Sequence, residues 1–169
     1  MTGTYSYKRD SMTNDIEQQA NTSINNYIKS VAAISLLPLP LLDLLAITAL
    51  QIKMIHRLSN LYDVEFKEDS ARAAITALLG SAIPLSIKSS LFSMTKTIPF
   101  VGSATGALGL SALAASSTYA IGKVFKYHYE TGGTLLDFNA DTLREYYHQQ
   151  TDKAKEAITE EENGAGVRP

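Results

Sequence analysis

Asp43 is the only charged residue between Lys29 and Lys53, so it is the first candidate for chemistry in this chain. Two roles suit it. In the first turn of a helix, a carboxylate accepts from backbone N–H groups that lack an intrahelical partner. Deeper inside, it would have to pair across helices with Lys88, Lys53 or a ligand. Its place three residues after Pro40 favours the first, structural role. Gln51 follows eight residues later on roughly the same face, where its amide suits an interhelical hydrogen bond without catalytic duty.

The remaining candidates are sparse. His56, His128 and His148 are far apart in sequence, and none lies in an HExxH pattern, so no metal site is expected. No GxxxxGK[ST] loop is present to cradle phosphates, and no serine sits in a GxSxG elbow. Gly102, Gly106 and Gly109 fall within an apolar helical stretch rather than after a strand, which removes a dinucleotide reading. With no cysteine, disulfides and thiolate ligands are excluded. The expectation is a protein that is not an enzyme and holds no cofactor.

Charge narrows the partners. Fifteen basic and seventeen acidic residues in 169 give a formal net charge of -2, which offers no basic face for nucleic acid. Residues 1–28 carry -1, 29–130 carry +3 and 131–169 carry -4, so acid collects in a polar C-terminal arm. The first thirty residues are polar without an apolar core, and no cleaved secretory signal is expected. One domain is expected at this length.

The elements that must position these residues are all helical. Residues 1–12 lack periodicity and read as disordered. A helix is expected from Asn14, with Glu17 completing a capping-box pair. Ile16, Ala20, Ile24, Tyr27, Val31 and Ile34 then form one apolar stripe, opposite Gln18, Gln19, Asn25 and Asn26. Pro38 and Pro40 end it. A second helix runs from about Leu41 to Leu61, and a third starts at Ala71, capped by Asp69 or Ser70. Pro84 kinks or ends that helix. Residues 97–122 are charge-free and long enough, as a helix, for a hydrocarbon core about 30 Å thick. Gly102 and Gly106 make a small-xxx-small step, extended by Gly109, that permits close helix approach. Lys123, Lys126 and Tyr127 follow, as basic and aromatic residues do at a membrane–water interface. Against insertion stand six Ser/Thr and four Gly within residues 98–122 and a mean hydropathy of -0.04. Gly132-Gly133 breaks the chain. A last helix from about Asp141 to Glu161 has a weak apolar face on Leu143, Tyr147, Gln150, Ala154 and Ile158. The expected organisation is 13–132 as a helical membrane-associated domain, 133–162 as a polar helix and 163–169 as a disordered tail.

Several of these pieces carry a resemblance. Leu37-Pro38-Leu39-Pro40-Leu41-Leu42-Asp43, Ala49-Leu50-Gln51-Ile52-Lys53-Met54-Ile55 and Leu58–Tyr62 are followed by the alanine-rich Ala71–Gly80 helix. Ile98-Pro99-Phe100-Val101-Gly102 then leads into small residues. Over Pro38 to Glu130 this resembles the bacterial domain-of-unknown-function family 697, which includes YcjF-like inner-membrane proteins. The resemblance implies a helical, membrane-associated domain that in relatives often follows a small GTPase. Pro38, Pro40, Asp43, Gln51, Met54 and Gly102 match recurrent positions without any catalytic role to transfer. No GTPase domain precedes them here, so a GTPase would be a separate partner. Where relatives often place glycine after the tyrosine, this chain has Asp63, which a turn tolerates less easily.

The fold expected is therefore all-α: hydrophobic helical hairpins or a bundle, membrane-associated, with polar helical arms. The function expected is a non-enzymatic membrane-associated scaffold or accessory protein. Its partners would be membrane lipid, a GTPase or further copies of itself, at the bacterial inner membrane or its cytoplasmic face. One alternative is a pore- or tubule-forming protein that inserts 71–95 and 97–122 as a hairpin, in which Lys88 and Lys96 sit awkwardly. Another is a soluble, cytoplasmic interaction module with a core centred on Ala77, Leu108 and Ala115.

Overall fold

The computed structural model describes residues 3–35, 42–81 and 104–165. Among them the chain is all-α, with no strand: α1 Gly3–Ser35, α2 Leu42–Leu61, α3 Glu68–Ser81, α4 Ala104–Glu130 and α5 Ala140–Ala165. Pro38, Pro40, Pro84 and Gly102 lie outside the described residues.

α1 starts far ahead of the expected Asn14. No proline or glycine interrupts residues 4–35, and a helix once nucleated extends at little cost. Asn14 is therefore mid-helix and caps nothing, which frees Glu17 for another partner. The apolar stripe is where its spacing puts it: Ala20, Ile24 and Val31 are fully buried, with Ile16, Tyr27 and Ile34 half-buried. Gln18, Gln19, Asn25 and Asn26 are exposed.

α2 matches its expected span to within a residue. α3 starts earlier than Ala71. The Lys67 carbonyl accepts the Ala71 N–H at 3.0 Å, which places Asp69 and Ser70 inside the first turn rather than at the cap. Glu68 and Asp69 there complement the helix dipole. α5 is capped by Asn139, whose Oδ1 accepts from the N–H groups of Asp141 (2.9 Å) and Thr142 (3.4 Å).

Two helices end in the same device. Gly132 sits at φ +85°, with the Gly133 N–H on the His128 carbonyl at 2.8 Å and the Gly132 N–H on the Tyr129 carbonyl at 3.0 Å. This is a Schellman cap, in which a left-handed residue satisfies the last carbonyls. At the end of α2 the left-handed position falls to Asp63 (φ 54°), and the Val64 N–H reaches the Ser59 carbonyl at 2.8 Å. An L-residue is strained there and glycine is not. Asp63→Gly should therefore raise stability by about 1 kcal/mol, read as a higher denaturation midpoint at unchanged m-value. A lower midpoint would contradict this account of the turn.

Side-chain pairs fix the topology. Glu17 of α1 meets Lys126 of α4, and the Ser111 hydroxyl donates to the Ala32 carbonyl, so α1 and α4 are antiparallel. Gln51–Thr118 and Ser59–Tyr129 run in the same order, so α2 and α4 are parallel. α3 turns back along α2 after a short connector. The ends Ser35, Leu42, Ser81 and Ala104 therefore share one end of the bundle. α5 packs on α3 and α4 and touches neither α1 nor α2.

The core joins all five helices: Ile24 from α1, Met54 and Leu58 from α2, Ile75 and Leu78 from α3, Ile121 and Phe125 from α4, and Tyr147 from α5. Ala115 is buried as expected, but Ala77 is exposed, because α3 turns Ala74, Ile75 and Leu78 inward instead. The Leu108 side chain lies outside the described residues. Among the described glycines, Gly122 is where α4 and α1 come close, while the side-chain surroundings of the small-xxx-small step lie outside the described residues. A Cβ on Gly122 would lie 2.9 Å from two side-chain carbons of Ile24.

No helix among the described residues is long and apolar enough to cross a membrane. The expected spanning run is in part found as α4, where most of the described apolar side chains face the bundle, although Leu113 is 54% exposed. Ala115, Ala120, Ile121, Val124 and Phe125 face the core, and the helix continues through two lysines.

Candidate functional site

The functional side chains lie on the seam where α4 meets α1 and α2. Gln51 is buried, and its amide nitrogen donates to the Thr118 hydroxyl at 3.0 Å, the interhelical bond expected of it. That hydroxyl in turn donates to the Ala114 carbonyl at 2.8 Å, so the Gln51 amide can present only its nitrogen. Gln51 Oε1 is buried and meets no donor among the described residues. Met54, one turn later, is wholly in the core.

Further along, Ser59 and Tyr129 hydroxyls are 2.9 Å apart, and Tyr62 donates to Glu130 at 2.8 Å. Burial pushes the Tyr129 phenol up to about 12, against the opposing effect of Ser59. Burial, then the Glu130 carboxylate, push the Tyr62 phenol up as well. Both stay protonated at physiological pH and act as hydrogen-bonding struts.

Lys126 joins this ladder to α1. Its Nζ lies 3.0 Å from Glu17 and 2.9 Å from Glu130, and its side chain is only 10% exposed. Burial opposes the charge on the ammonium, but the hydrogen bonds it donates to Glu130 and Glu17 prevail and raise its pKa. The hydrogen bond from Lys126 is also the main reason the Glu17 carboxyl lies below its ordinary value. Lys123, one turn earlier, donates to Asn21 Oδ1 at 2.8 Å and lies over the Tyr119 ring. Burial, then its neighbour Lys126, depress its pKa.

The lysines thus have a different position from the interfacial one expected. Lys126 faces into the bundle and Lys123 toward α1, because Glu17 and Asn21 stand opposite them across an antiparallel pair. Tyr127 alone is outward, 45% exposed, with its ring 5.1 Å from Tyr146. Asp43, Gly106 and Gly109 lie within α2 and α4, and their surroundings are outside the described residues. No group of three or more His, Asp and Glu that could hold a metal occurs among the described residues.

Glu17 is read from sequence as a capping-box residue and not as an ion-pair partner, and Tyr62, Ser59, Thr118 and Glu130 were not singled out from sequence. For Ser59 and Thr118 the signal is positional: each is a polar residue buried on a face otherwise apolar at helical spacing.

The triad predicts its own variants. Lys126→Ala should cost about 1–3 kcal/mol; Glu17 and Glu130 are partly exposed and can rehydrate, which keeps the loss below that of a fully buried pair. Lys126→Met retains the packed stem and should cost less. The depressed Glu17 contributes stability that is present above about pH 4.5 and lost as pH falls through its lowered folded value. Lys126, with its raised pKa, contributes below its ordinary value, and that contribution is lost as pH rises through the folded one. Thermal melts of the native chain and Glu17→Gln should therefore differ at neutral pH and converge in acid.

Beside the seam, α1 and α2 border an open groove of about 680 Å3 lined by polar side chains, with Arg57 its one cation.

Five helices around one core, three of them (α1, α2 and α4) tied by interhelical polar links, define an all-α bundle. The chain belongs to the family described as Domain of unknown function (DUF697), matched over residues 7–156. It is similar to "Magnetosome membrane protein 22" of Magnetospirillum gryphiswaldense, 39% identical over 137 residues, covering 80% of this chain and 70% of that protein. No solved structure matches it.

Proposed function

We propose that this chain is a non-enzymatic accessory or scaffold protein held at a membrane surface. One observation carries the reading: the two connecting stretches poorest in charge, 36–41 and 82–103, both leave from and return to the same end of the bundle. The first has no charged residue and the second only Lys88 and Lys96. Charge-poor, apolar sequence brought to one end of a bundle suits contact with a membrane surface. The similarity to a magnetosome membrane protein supports a membrane setting. Fractionation of cells expressing the full chain tests it. Recovery in the membrane pellet, with release by carbonate wash marking peripheral attachment, is the expected result. Recovery wholly in the soluble fraction would overturn it.

A further inference from the structure

The helix faces differ in charge across the bundle, and this points to an orientation. Between Gln18 and Tyr62 the only charged residues are Lys29, Asp43, Lys53 and Arg57. Lys29, Lys53 and Arg57 are exposed and make no ion pair among the described residues. By contrast Lys67, Arg72, Lys126, Arg144 and Lys155 each face an acid. On α2 the outward positions recur every four residues: Leu45 (69% exposed), Ala49, Lys53 and Arg57, with His56 beside them. The stripe is apolar toward the end where α1 and α2 are joined and basic beyond it. Across the bundle, α5 carries seven acids against three bases.

We propose that the outward α1–α2 flank is a docking surface for an anionic lipid bilayer, with α5 turned away from it. Lys53 and Arg57 take lipid phosphates. The hydroxyl and amide side chains that line the groove beside Arg57 (Gln19, Thr22, Ser23, Asn26 and Ser30) supply donors to headgroup oxygens. Asp15 is the only acid among the residues that line the same groove. Leu45 enters the headgroup layer at the edge of the flank. Charge complementarity selects the occupant, since anionic lipid is attracted to this flank and repelled by α5. The inference rests on the membrane reading above and adds which face is turned to the lipid.

Flotation of the purified full chain with phosphatidylcholine vesicles, with and without phosphatidylglycerol, tests it. Binding should require phosphatidylglycerol and weaken as salt is raised. The pair Lys53→Glu/Arg57→Glu should lower the bound fraction roughly tenfold or more. Lys153→Glu/Lys155→Glu on α5 should bind as the native chain does. Both pairs are exposed, and an unchanged thermal melt shows that each variant folds. Undiminished binding by the α2 pair, or equal binding to neutral vesicles, overturns the flank and leaves the membrane reading standing. Absence of binding to either vesicle overturns both. Light scattering that shows the α2 pair dissolving an oligomer, with vesicle binding unchanged, would assign the flank to a second copy and overturn the proposal.

Discussion

Phe125→Ala should lower the stability of the bundle by about 3–5 kcal/mol, the cost of removing a fully buried aromatic ring. Phe125 has no exposed surface. Its ring stacks on Phe138 at 4.7 Å between centroids and meets the edge of Tyr129 at 5.8 Å. It thus holds α4, the connector before α5 and the inner end of the polar ladder together. Truncation opens a cavity between α4 and the connector, which are already in register and cannot collapse into it independently. At this chain length the loss corresponds to a fall in melting temperature of roughly 10 °C. Phe125→Leu, which refills most of the volume, should lose far less. A calorimetric shift of only a degree or two for Phe125→Ala would mean that this cluster is not central to the core.

Gly122→Leu should be the second costly change, for the opposite reason. The position has no room for even a methyl group, since the nearest Ile24 carbons are 2.9 Å from where a Cβ would be. Ile24 is itself buried and hemmed in, so α1 and α4 would have to separate. Overpacking of this kind costs about 1–3 kcal/mol, and more where it also breaks directional bonds. Here separation would stretch Lys126–Glu17 and Lys123–Asn21, which bridge the same two helices. Trimming the partner provides the control. Gly122→Ala should be destabilising in the native chain and cost much less in an Ile24→Ala background, which a double-mutant cycle reads as coupling. If the two changes simply add, Gly122 and Ile24 are not in the contact described.

The fold was largely legible because helical spacing is a strong signal. The stripes on α1 and α5 and the bounds of α2 follow from residues such as Ile24, Tyr147 and Leu42 alone. Helix starts were less legible. Asn14 and Glu17 fit a capping box, but nothing before Asn14 stops a helix, and a pattern that permits a cap does not compel one. The site was legible in half. Gln51 is recognisable as an interhelical donor because a lone amide in an apolar stretch needs a partner. Its partner Thr118 is one of six serines and threonines between 98 and 122, and only the parallel register of α2 and α4 selects it. Lys123 and Lys126 follow an apolar run much as membrane anchors do. Whether such lysines point to lipid or inward depends on what lies across the helix pair, here Asn21 and Glu17, more than a hundred positions away. The expected small-residue step singled out Gly102, Gly106 and Gly109. The surroundings of those three lie outside the described residues; the close approach that the described residues do show is at Gly122, which the helical pattern did not single out and which the bulk of Ile24 opposite makes necessary.

The α2–α4 ladder also bears on how this bundle can move. Gln51–Thr118, Ser59–Tyr129 and Tyr62–Glu130 are separated by 67, 70 and 68 positions, a nearly constant offset along two parallel helices. The rungs therefore act as a ratchet pawl. Sliding α4 past α2 by one turn, about 5.4 Å, would disengage all three rungs together. Each buried group left without a partner would cost about 1–3 kcal/mol. Piston and screw motions of the inner helices are thus suppressed. Any response to a membrane or a neighbour must come from bending at the junctions between helices, where residues such as Asp63 and Gly132 already have unusual dihedrals.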